Sequence, residues 1–429
     1  MQELKNMNVI VFGLGKSGIA AAKRLVSLGA KVALTEVKPE SDFSPDLLQE
    51  LKGLGIQLEL GGHNEESVNS ADLIVVSPGV HLDIPVLRQT KTSVISEIEL
   101  AYQLLKKPII AVTGTNGKTT TTTLIGEMLK AGGKKIAVAG NIGNPLVAVE
   151  DADLDFIVAE ISSYQLEAIK DFRPWISVIL NIQEDHLERH HSRSEYIEQK
   201  KRIFLNQTSN DYLIYNLDDP LVVEMAKQAK AKLIAFSKKQ PDIIALGSNE
   251  IKIPGEHNLA NSLAAAQAAY LCGIAKATVA KVLKTFPGIE HRIEYVRTIN
   301  GVEFYNDSKA TNPDSTLVAL RTFKGRTSVL ILGGKDKGTG LESLAQETKK
   351  SSRAVVLIGE ASSRFETSLQ AVGFEAIQRT DSMANAVKKS FSLAKKNDIV
   401  LLSPACASFD MFSGFEERGK VFKEAVSRL

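Results

Sequence analysis

The chain has 429 residues, of which 44% are hydrophobic and 24% are charged, which is ordinary for a soluble globular protein of about three domains. Lysine and arginine number 52 against 50 acidic residues, which argues against a nucleic-acid coat or another polyanion binder. The only two cysteines, Cys272 and Cys406, are too far apart in sequence for a disulfide framework and favour a reducing compartment.

The amino-terminal segment does not resemble a secretory signal, because its apolar run covers about five residues and then ends in glycines. No stretch approaches the roughly 18 apolar residues that a membrane span requires. We therefore expect a cytoplasmic monomer that binds neither a membrane nor a nucleic acid.

Short apolar strands alternate with helices along the whole chain, a pattern typical of parallel, doubly wound sheets. In the first part, strands are predicted at 8–12, 31–36 and 71–79, and helices at 19–29 and 45–55. In the second part, the strands are predicted at 109–112, 135–140, 154–162, 176–182, 211–216 and 232–236, with a helix at 257–274. In the third, they are predicted at 328–334, 354–359 and 398–404.

The predicted fold class is α/β, with three domains. The first, over 1–93, is a Rossmann-like parallel sheet. The second, over 94–289, is a P-loop ATPase-type α/β domain, as its motif described below indicates, and the third, over 290–429, is a Rossmann-like α/β domain.

A glycine motif, GLGKSG over 13–18, follows the first strand and opens a helix, and Glu36 ends the second strand. Glycines in this setting let the backbone approach a pyrophosphate, and the helix amino terminus favours its negative charge. Taken alone, the motif indicates a nicotinamide dinucleotide. A tight turn without a ligand is the alternative.

A second loop, TGTNGKT over 113–119, stands between a strand and a helix. Its backbone N–H groups can surround phosphates, Lys118 can reach the terminal phosphates, and the Thr119 hydroxyl suits Mg²⁺. Val112 stands where the common P-loop pattern has glycine. The setting nevertheless favours ATP binding over an accidental Gly-Lys-Thr.

Polar residues at the ends of later strands are candidate ligands, because the carboxyl ends of parallel strands face the ligand crevice. Glu160 ends one strand and His186 follows the next, and a carboxylate beside a phosphate loop suits Mg²⁺. Lys309 lies in a polar loop that is typical of a ligand site. The cluster around Lys200 and Lys201 could equally be a solvated helix face.

These motifs occur in the order typical of one family. The chain resembles the Mur ligases in TGTNGKTT, AEISSYQLE, NIQEDHLERH, YIEQKKRIF, HNLANSLAA, HRIE, NDSKATNP, GGKDKG and SPACASFDMFSGFEERG. The resemblance covers nearly the whole chain. It implies an ATP-dependent acid–amino-acid ligase of peptidoglycan precursor synthesis, and the two ends of the chain are similar to the branch that adds D-glutamate to UDP-N-acetylmuramoyl-L-alanine through an acyl phosphate.

The resemblance also assigns roles to individual residues. The catalytic residues would be Lys118, His186, Lys200 and Lys309. ATP would be bound by Gly114, Thr115, Asn116, Gly117, Lys118, Thr119, Thr120, Asn258, Asn261, Arg292 and Asp307. Two Mg²⁺ ions are expected, with Thr119, Glu160, His186 and a carbamylated Lys200 as ligands, and with Lys201 as the adjacent alternative for the carbamate.

The same resemblance implies that the first domain binds the UDP end of one substrate, that the second contacts its muramoyl-alanine end, and that the third binds D-glutamate. The UDP-linked substrate, rather than a nicotinamide dinucleotide, would contact Gly15, Lys16, Ser17, Glu36, Ser77, Gly79, Asn141, Ser162 and Gln165. D-Glutamate would contact Thr311, Lys337, Ser408 and Phe415.

Three alternatives stay open at this point. A nicotinamide-dependent dehydrogenase would explain the first glycine motif but not the ATP loop. A non-catalytic nucleotide-binding module would require drift in the metal-binding set. Within the enzyme class, a sibling Mur ligase that adds a different amino acid is the nearest alternative.

Overall fold

The computed structural model describes residues 4–183, 192–240, 243, 244, 246, 250–336 and 338–429, with Arg193 described by its backbone alone. The chain forms two compact units, one made of 1–247 and 257–282 and the other of 248–256 and 283–429. Two parallel sheets lie in the first unit and one mixed sheet lies in the second. Among the described residues, no helix combines the length and the apolar composition that a membrane crossing demands.

The first sheet is the predicted Rossmann-like sheet, and all of its strands run parallel in the order β3-β2-β1-β4-β5. Its strands are β1 (Asn8–Phe12), β2 (Lys31–Glu36), β3 (Gln57–Leu60), β4 (Leu73–Val76) and β5 (Val94–Ser96). The helices around it are α1 (Lys16–Ser27), α2 (Pro45–Gly53), α3 (Glu65–Ser70), α4 (Pro85–Gln89) and α5 (Glu97–Leu104).

Strand β5 begins directly after the predicted domain boundary at 93, yet it pairs with β4. The first sheet therefore extends to Ser96, three residues past that boundary. A strand of three residues is too short to give a recognisable alternation in sequence, so no local signal joins it to the first sheet.

The second sheet is the predicted central sheet, with parallel strands in the order β11-β10-β9-β6-β8-β7. Its strands are β6 (Ile109–Thr113), β7 (Ile136–Gly140), β8 (Phe156–Glu160), β9 (Ile176–Ile179), β10 (Tyr212–Asn216) and β11 (Lys232–Phe236). The helices of this part are α6 (Lys118–Ala131), α7 (Ser163–Leu166), α8 (Arg193–Lys201), α9 (Pro220–Ala226), α10 (Glu256–Leu271) and α11 (Lys276–Thr285).

Strand β6 lies between β8 and β9, so the chain leaves β6 on one side and returns on the other. Such a switch in strand order opens a crevice at the carboxyl ends of the strands, where ligands bind in open α/β sheets. The two sheets of this unit share one apolar core, because residues such as Val11 and Leu34 belong to the same buried cluster as Ala111 and Ile157.

The third sheet, in the second unit, has the order β12-β13-β17-β14-β15-β16. Its strands are β12 (Glu294–Ile299), β13 (Val302–Asn306), β14 (Ser328–Gly333), β15 (Ser352–Ile358), β16 (Ile377–Arg379) and β17 (Ile399–Leu402). Its helices are α12 (Pro313–Thr322), α13 (Glu342–Ser351), α14 (Ser362–Ala371), α15 (Met383–Leu393) and α16 (Phe415–Ser427).

This sheet is mixed because β12 pairs antiparallel with β13, whereas the other neighbours run parallel. Asn300 and Gly301 form the two-residue turn with φ values of 51° and 79°. Asn-Gly favours this turn, since both positions need positive φ. Strand β12 was not predicted, because it is a half-exposed edge strand that lacks a continuous apolar run.

Candidate active site

A sharply bent loop joins β6 to α6 and forms the centre of the candidate site. Gly114 and Gly117 have φ values of 147° and 87°, which residues with side chains rarely adopt. A Cβ atom built on Gly117 would lie 2.2 Å from Oδ1 of Asn261. Helix α6 then begins without a side-chain cap, so the loop presents the amino end of a 14-residue helix to an anion, as a phosphate loop does.

Lys118, the first residue of α6, folds back over this loop. Its Nζ atom donates to the carbonyl oxygens of Gly114 at 2.9 Å and Thr115 at 2.8 Å. Thr119 and Thr120 follow in the first turn of the same helix. The loop therefore carries a cation over its backbone, and two threonines follow it at the start of the helix.

The loop is fixed from outside by residues that follow β9. Asn181 accepts from the backbone N–H of Asn116 at 2.8 Å and donates to the carbonyl oxygen of Asn116 at 2.9 Å. Thr115 accepts from the N–H of Gln183 at 2.9 Å and bonds the hydroxyl of Tyr196 at 3.0 Å. Sequence analysis gave no role to Asn181 or Gln183, although their position after a parallel strand marks them as crevice residues.

Lys200 lies against the same loop. It is buried, its Nζ atom donates to the carbonyl oxygen of Gly114 at 2.9 Å, and it stands 4.6 Å from the ring centroid of Tyr196. Lys201 points away and makes an ion pair with Glu198. Of the two lysines considered for the carbamate, the structure brings only Lys200 to the phosphate loop.

Glu160 ends β8 beside the loop, since it is paired in register with Val112 of β6. It is 2% exposed, and its Oε1 atom accepts from the side-chain amide of Asn141 at 2.8 Å. Its Oε2 atom is buried and has no hydrogen-bond partner among the described residues. A buried carboxylate oxygen that is left open in this way fits a Mg²⁺ ligand.

His186 lies outside the described residues. Within the described part of the chain, no three or more histidine, cysteine, aspartate or glutamate residues converge as a metal site. A bound ion would therefore need Glu160 together with Thr119, His186, a modified Lys200 or the phosphates themselves. Hard oxygen donors of this kind suit Mg²⁺.

Asn258 and Asn261 lie one turn apart in α10 and are both buried. The amide of Asn261 donates to Oδ1 of Asn258 at 3.2 Å. Because Asn261 also fills the space beside Gly117, this pair lies at the rear of the phosphate loop. That position is consistent with a role next to the nucleotide.

The glycine motif of the first sheet forms a second anion-type loop. Gly13 has a φ of 95°, and a Cβ on Gly18 would lie 1.9 Å from the carbonyl oxygen of Gly13. Glu36 accepts from the N–H of Leu14 at 2.9 Å, and the Ser77 hydroxyl donates to Gly13 at 3.3 Å. Glu36 and Ser77 therefore hold the loop, in addition to any contact with a ligand.

The remaining predicted residues of this loop are accessible. Gly15, Lys16 and Gly79 are exposed, and Ser17 is half-buried. Gly15 is the N-cap of α1 and makes no side-chain cap, and the exposure of Gly15 and Lys16 places the start of this helix at the surface. A phosphate group can approach such a helix end directly.

Ser162 and Gln165 form a capping box at the start of α7. The Gln165 Oε1 atom accepts from the Ser162 N–H at 2.9 Å and from its hydroxyl at 3.0 Å. Their predicted place near the UDP-linked substrate stays a prediction. The structure adds that they shape the turn that follows Glu160.

In the second unit, Asp307 follows β13 and is almost wholly buried. Its carboxylate accepts from the Ile293 N–H at 3.1 Å and from the Ser403 hydroxyl at 2.7 Å. Burial raises its pKa to about 7, against the lowering effect of Ser403 and Ile293 and the charges of Arg292 and Arg418. Both carboxylate oxygens are thus held by the protein.

Arg418 is a buried residue of α16 to which sequence analysis gave no role. Its guanidinium donates to the Ser308 hydroxyl at 2.9 Å and to the carbonyl oxygens of Ser308 at 2.8 Å, Cys406 at 3.0 Å and Ala407 at 3.3 Å. Burial lowers its pKa to about 10, so it stays charged at neutral pH. Arg418 joins the loop after β13 to the loop after β17.

These two loops carry the predicted D-glutamate and phosphate residues. Lys309 stands 5.6 Å from the ring centroid of Phe415, and the Phe415 carbonyl accepts from the Ser308 hydroxyl at 2.8 Å. Ser408 is buried and Thr311 is half-buried. Lys337 lies outside the described residues. Cys406 is buried, and burial raises the pKa of its thiol to about 11, so it is not activated as a nucleophile.

A cavity of about 770 Å³ lies elsewhere in the first unit, and no predicted site residue lines it. Its walls include Ile109 and Phe156, which begin β6 and β8, so it opens at the amino ends of the strands. Its arginine, Arg173, is bonded to Asp211 at 2.8 Å. Ligands of parallel sheets bind at the opposite ends, so this cavity is separate from the candidate site.

The sequence matches three family descriptions in chain order. They are a Mur ligase MurD-like N-terminal domain over 7–99, a Mur ligase middle domain over 112–269 and a Mur ligase glutamate ligase domain over 291–406. Together these segments include both glycine loops, Glu160, Lys200 and the loop after β13.

Full-length relatives agree with these matches. The UDP-N-acetylmuramoylalanine--D-glutamate ligase of Caldanaerobacter subterraneus subsp. tengcongensis is 45% identical over 451 residues, which covers 100% of this chain and 99% of that protein. The ligase of the same name from Clostridioides difficile is 43% identical, with 100% of each chain covered.

Two solved structures support the fold alone, because their sequence identities are low. The UDP-N-acetylmuramate-alanine ligase of Thermotoga maritima has a TM-score of 0.59 at 20% identity, covering 99% of this chain and 100% of that chain. A pseudomurein peptide ligase type C from Methanothermus fervidus has a TM-score of 0.57 at 22% identity, with the same coverage.

Proposed function

Because this chain belongs to the Mur ligase family, we propose that it is the ATP-dependent ligase that adds D-glutamate to UDP-N-acetylmuramoyl-L-alanine in peptidoglycan precursor synthesis. The observation that carries the proposal is its similarity, over the whole chain, to ligases named for this reaction. The phosphate loop with an open carboxylate beside it supports ATP-dependent chemistry at the central sheet.

The reaction has two steps. The alanyl carboxylate attacks the γ-phosphorus of ATP, ADP leaves, and an acyl phosphate forms. The amine of D-glutamate then attacks the acyl carbon and loses a proton, and inorganic phosphate leaves as the amide forms. Phosphorylation is needed because a free carboxylate is a poor electrophile.

The residues of the central loop would position and neutralise the phosphates. Lys118 would exchange its bonds to Gly114 and Thr115 for bonds to the terminal phosphates, and the first turn of α6 would add N–H donors. Thr119, Glu160, His186 and Lys200 would hold Mg²⁺, which supplies charge neutralisation when bound. The open Oε2 atom of Glu160 supports this assignment.

The carbamate on Lys200 is part of the proposal. It converts a buried cation into an anion, which a metal-binding set next to a phosphate loop needs. The nitrogen of a carbamate keeps one N–H, so the bond to the Gly114 carbonyl can persist. Two Mg²⁺ ions are proposed, since the phosphates and the acyl carboxylate each develop charge that a cation would stabilise.

Loops of the first and third sheets would bind the two other substrates. The glycine loop at Gly15–Gly18 and α1 would take the UDP end, with Asn141 near the muramoyl-alanine end. Lys309, Thr311, Lys337, Ser408 and Phe415 would bind D-glutamate and its phosphate neighbour. Arg418 would fix the two loops that carry most of this group.

The test is phosphate release from ATP in the presence of UDP-N-acetylmuramoyl-L-alanine and one amino acid at a time. We expect release with D-glutamate and not with L-glutamate, L-alanine or L-lysine, together with a product whose mass increases by one glutamyl residue. Lys118→Ala is the control and should abolish release. Release with a different amino acid would assign the chain to a sibling ligase.

A further inference from the structure

Glu97 is a buried carboxylate that the reaction described above does not use. It is the first residue of α5 and is 1% exposed. Its Oε1 atom accepts from the backbone N–H of Val147 at 2.7 Å. Burial raises its pKa to about 7, while Val147, Gln165 and Leu146 lower it. Burying a carboxyl group at this position costs free energy of folding, and a functional role would account for its presence.

The groups around Glu97 belong to the turns that follow β7 and β8. Val147 lies in a short 3₁₀ turn, Leu146–Ala148, that closes the segment starting at Asn141. The side chain of Gln165 shapes the turn after Glu160. Glu97 therefore stands between the two turns that bear Asn141 and Glu160.

The same 3₁₀ turn also packs against α1, the helix that opens at the glycine loop. This turn therefore connects α1, which begins after the glycine loop, with the segment that follows β7. A substrate that spans these two places must match the distance between them. The hydrogen bond from Val147 to Glu97 is the polar contact that fixes the turn from the α5 side.

We propose that Glu97 is a positioning residue for the UDP-linked substrate: it holds the 146–148 turn so that the glycine loop and the Asn141–Glu160 pair stay the correct distance apart. The inference rests on the proposed function, because that function assigns the two ends of one substrate to these places. Glu97 touches no substrate. It acts through its hydrogen bond with the backbone of Val147.

The same helix offers a matched control. Glu99 is also fully buried, but its Oε2 atom accepts from the N–H groups of Lys170, Asp171 and Phe172 at 2.8, 3.0 and 2.8 Å. These residues form a turn before β9 that carries no predicted substrate contact. Loss of Glu99 removes a buried carboxylate of equal burial from the same helix without freeing the 146–148 turn.

The test compares Glu97→Ala, Glu97→Gln and Glu99→Ala in the complete enzyme, with KM measured for each substrate and melting temperature measured for each variant. Glu97→Ala should raise KM for UDP-N-acetylmuramoyl-L-alanine about tenfold or more, with KM for ATP and D-glutamate within about twofold of wild type. Glu97→Gln should restore KM to within about threefold, because its amide oxygen can still accept from Val147. Glu99→Ala should lower the melting temperature without the selective change in KM.

Two results would overturn the inference. One is a normal KM for the UDP-linked substrate in Glu97→Ala. The other is a rise of all three KM values by the same factor in both alanine variants, in proportion to how far each melting temperature falls. If Glu97→Ala does not fold, Glu97→Asp replaces it, since it keeps the charge but withdraws the acceptor, and it must show the same selective rise. A wild-type enzyme that forms no product would instead overturn the proposed function.

Discussion

Two buried carboxylates, Glu160 in the first unit and Asp307 in the second, stand at equivalent places in their sheets. Each lies at the carboxyl end of a buried strand and each is about as inaccessible as the other. Glu160 leaves its Oε2 atom without a partner, whereas Asp307 has both oxygens bonded by protein donors. Burial alone therefore does not mark a ligand site, and an unmade hydrogen bond alone does not either, since Glu97 Oε2 is also buried without a partner among the described residues. What distinguishes Glu160 is that its open oxygen lies at the end of a strand beside the phosphate loop.

This difference in hydrogen bonding gives the two carboxylates different roles. An anionic oxygen that is kept open at the phosphate loop is ready for a cation. A carboxylate that is satisfied by Ile293 and Ser403 instead fixes the loop on which Lys309 stands. The following predictions test this division, from the largest expected effect to the smallest.

Glu160→Gln should reduce the rate of phosphate release about 10²- to 10³-fold and raise the Mg²⁺ concentration needed for half-maximal activity. The amide oxygen can keep the bond to Asn141, but it cannot supply the second anionic oxygen. Unfolding of the variant should match wild type to within about 1 kcal/mol. Normal Mg²⁺ dependence in Glu160→Gln would contradict the assignment of the open oxygen.

Arg418→Ala should destabilise the second unit by about 2–4 kcal/mol, because it leaves several buried carbonyl groups without a donor. Hydrogen exchange of the β13 and β17 amides would measure the loss. Arg428→Ala is the control: that side chain is 78% exposed and its removal should cost less than about 0.5 kcal/mol. Equal exchange rates in the two variants would show that Arg418 does not organise these loops.

Asp307→Asn should flatten the dependence of stability on pH. The folded chain holds the Asp307 proton up to about pH 7, whereas the unfolded chain releases it near the ordinary value of 3.8. Between those values the folded state binds more protons, so the free energy of unfolding falls as pH rises, by at most about 1.4 kcal/mol per pH unit.

Denaturant unfolding of wild type and Asp307→Asn at several pH values would measure this slope. The pKa of Glu97 is also raised by burial. Asp307→Asn should therefore lose only the part of the pH dependence of unfolding that Asp307 contributes. Identical slopes in the two proteins would mean that Asp307 is ionised in the folded state throughout this range.

Lys201→Ala should have the smallest effect, with activity within about twofold of wild type and a stability change below about 0.5 kcal/mol. Its side chain is half-buried and its partners, Glu198 and Gln228, lie away from the phosphate loop. Lys200→Ala should remove nearly all activity, because it empties the position beside Gly114. Comparable activities of the two variants would return the carbamate position to the alternative at 201.

Sequence predicted the α/β architecture and the two glycine loops well, because apolar strands and glycine turns are local signals. The antiparallel strand β12 was missed, although its Asn-Gly turn was present in the sequence. The strands were predicted from continuous apolar runs, and an edge strand in which exposed and half-buried residues alternate has no such run. Strand β5, which lies just past the predicted boundary at 93, gave no signal for a related reason, since it is only three residues long.

Some residues of the candidate site could likewise be predicted from the sequence, and others could not. Lys118 and Glu160 could be named from their place after strands, but the choice between Lys200 and Lys201 needed the orientation of α8. Glu97 and Arg418 could not be found from local sequence, because their partners lie 50 residues away in one case and up to 110 in the other. A hydrogen bond between residues this far apart in the chain leaves no periodic pattern in the sequence.

The bonds from Asn181 and Gln183 to the phosphate loop have a thermodynamic consequence. They tie Thr115 and Asn116 to the segment after β9 through the protein's own groups, so the conformational entropy of the loop is lost during folding and not during binding. Calorimetry of nucleotide binding should therefore show a small entropic penalty, and severing Asn181 from the loop should weaken affinity mainly through entropy.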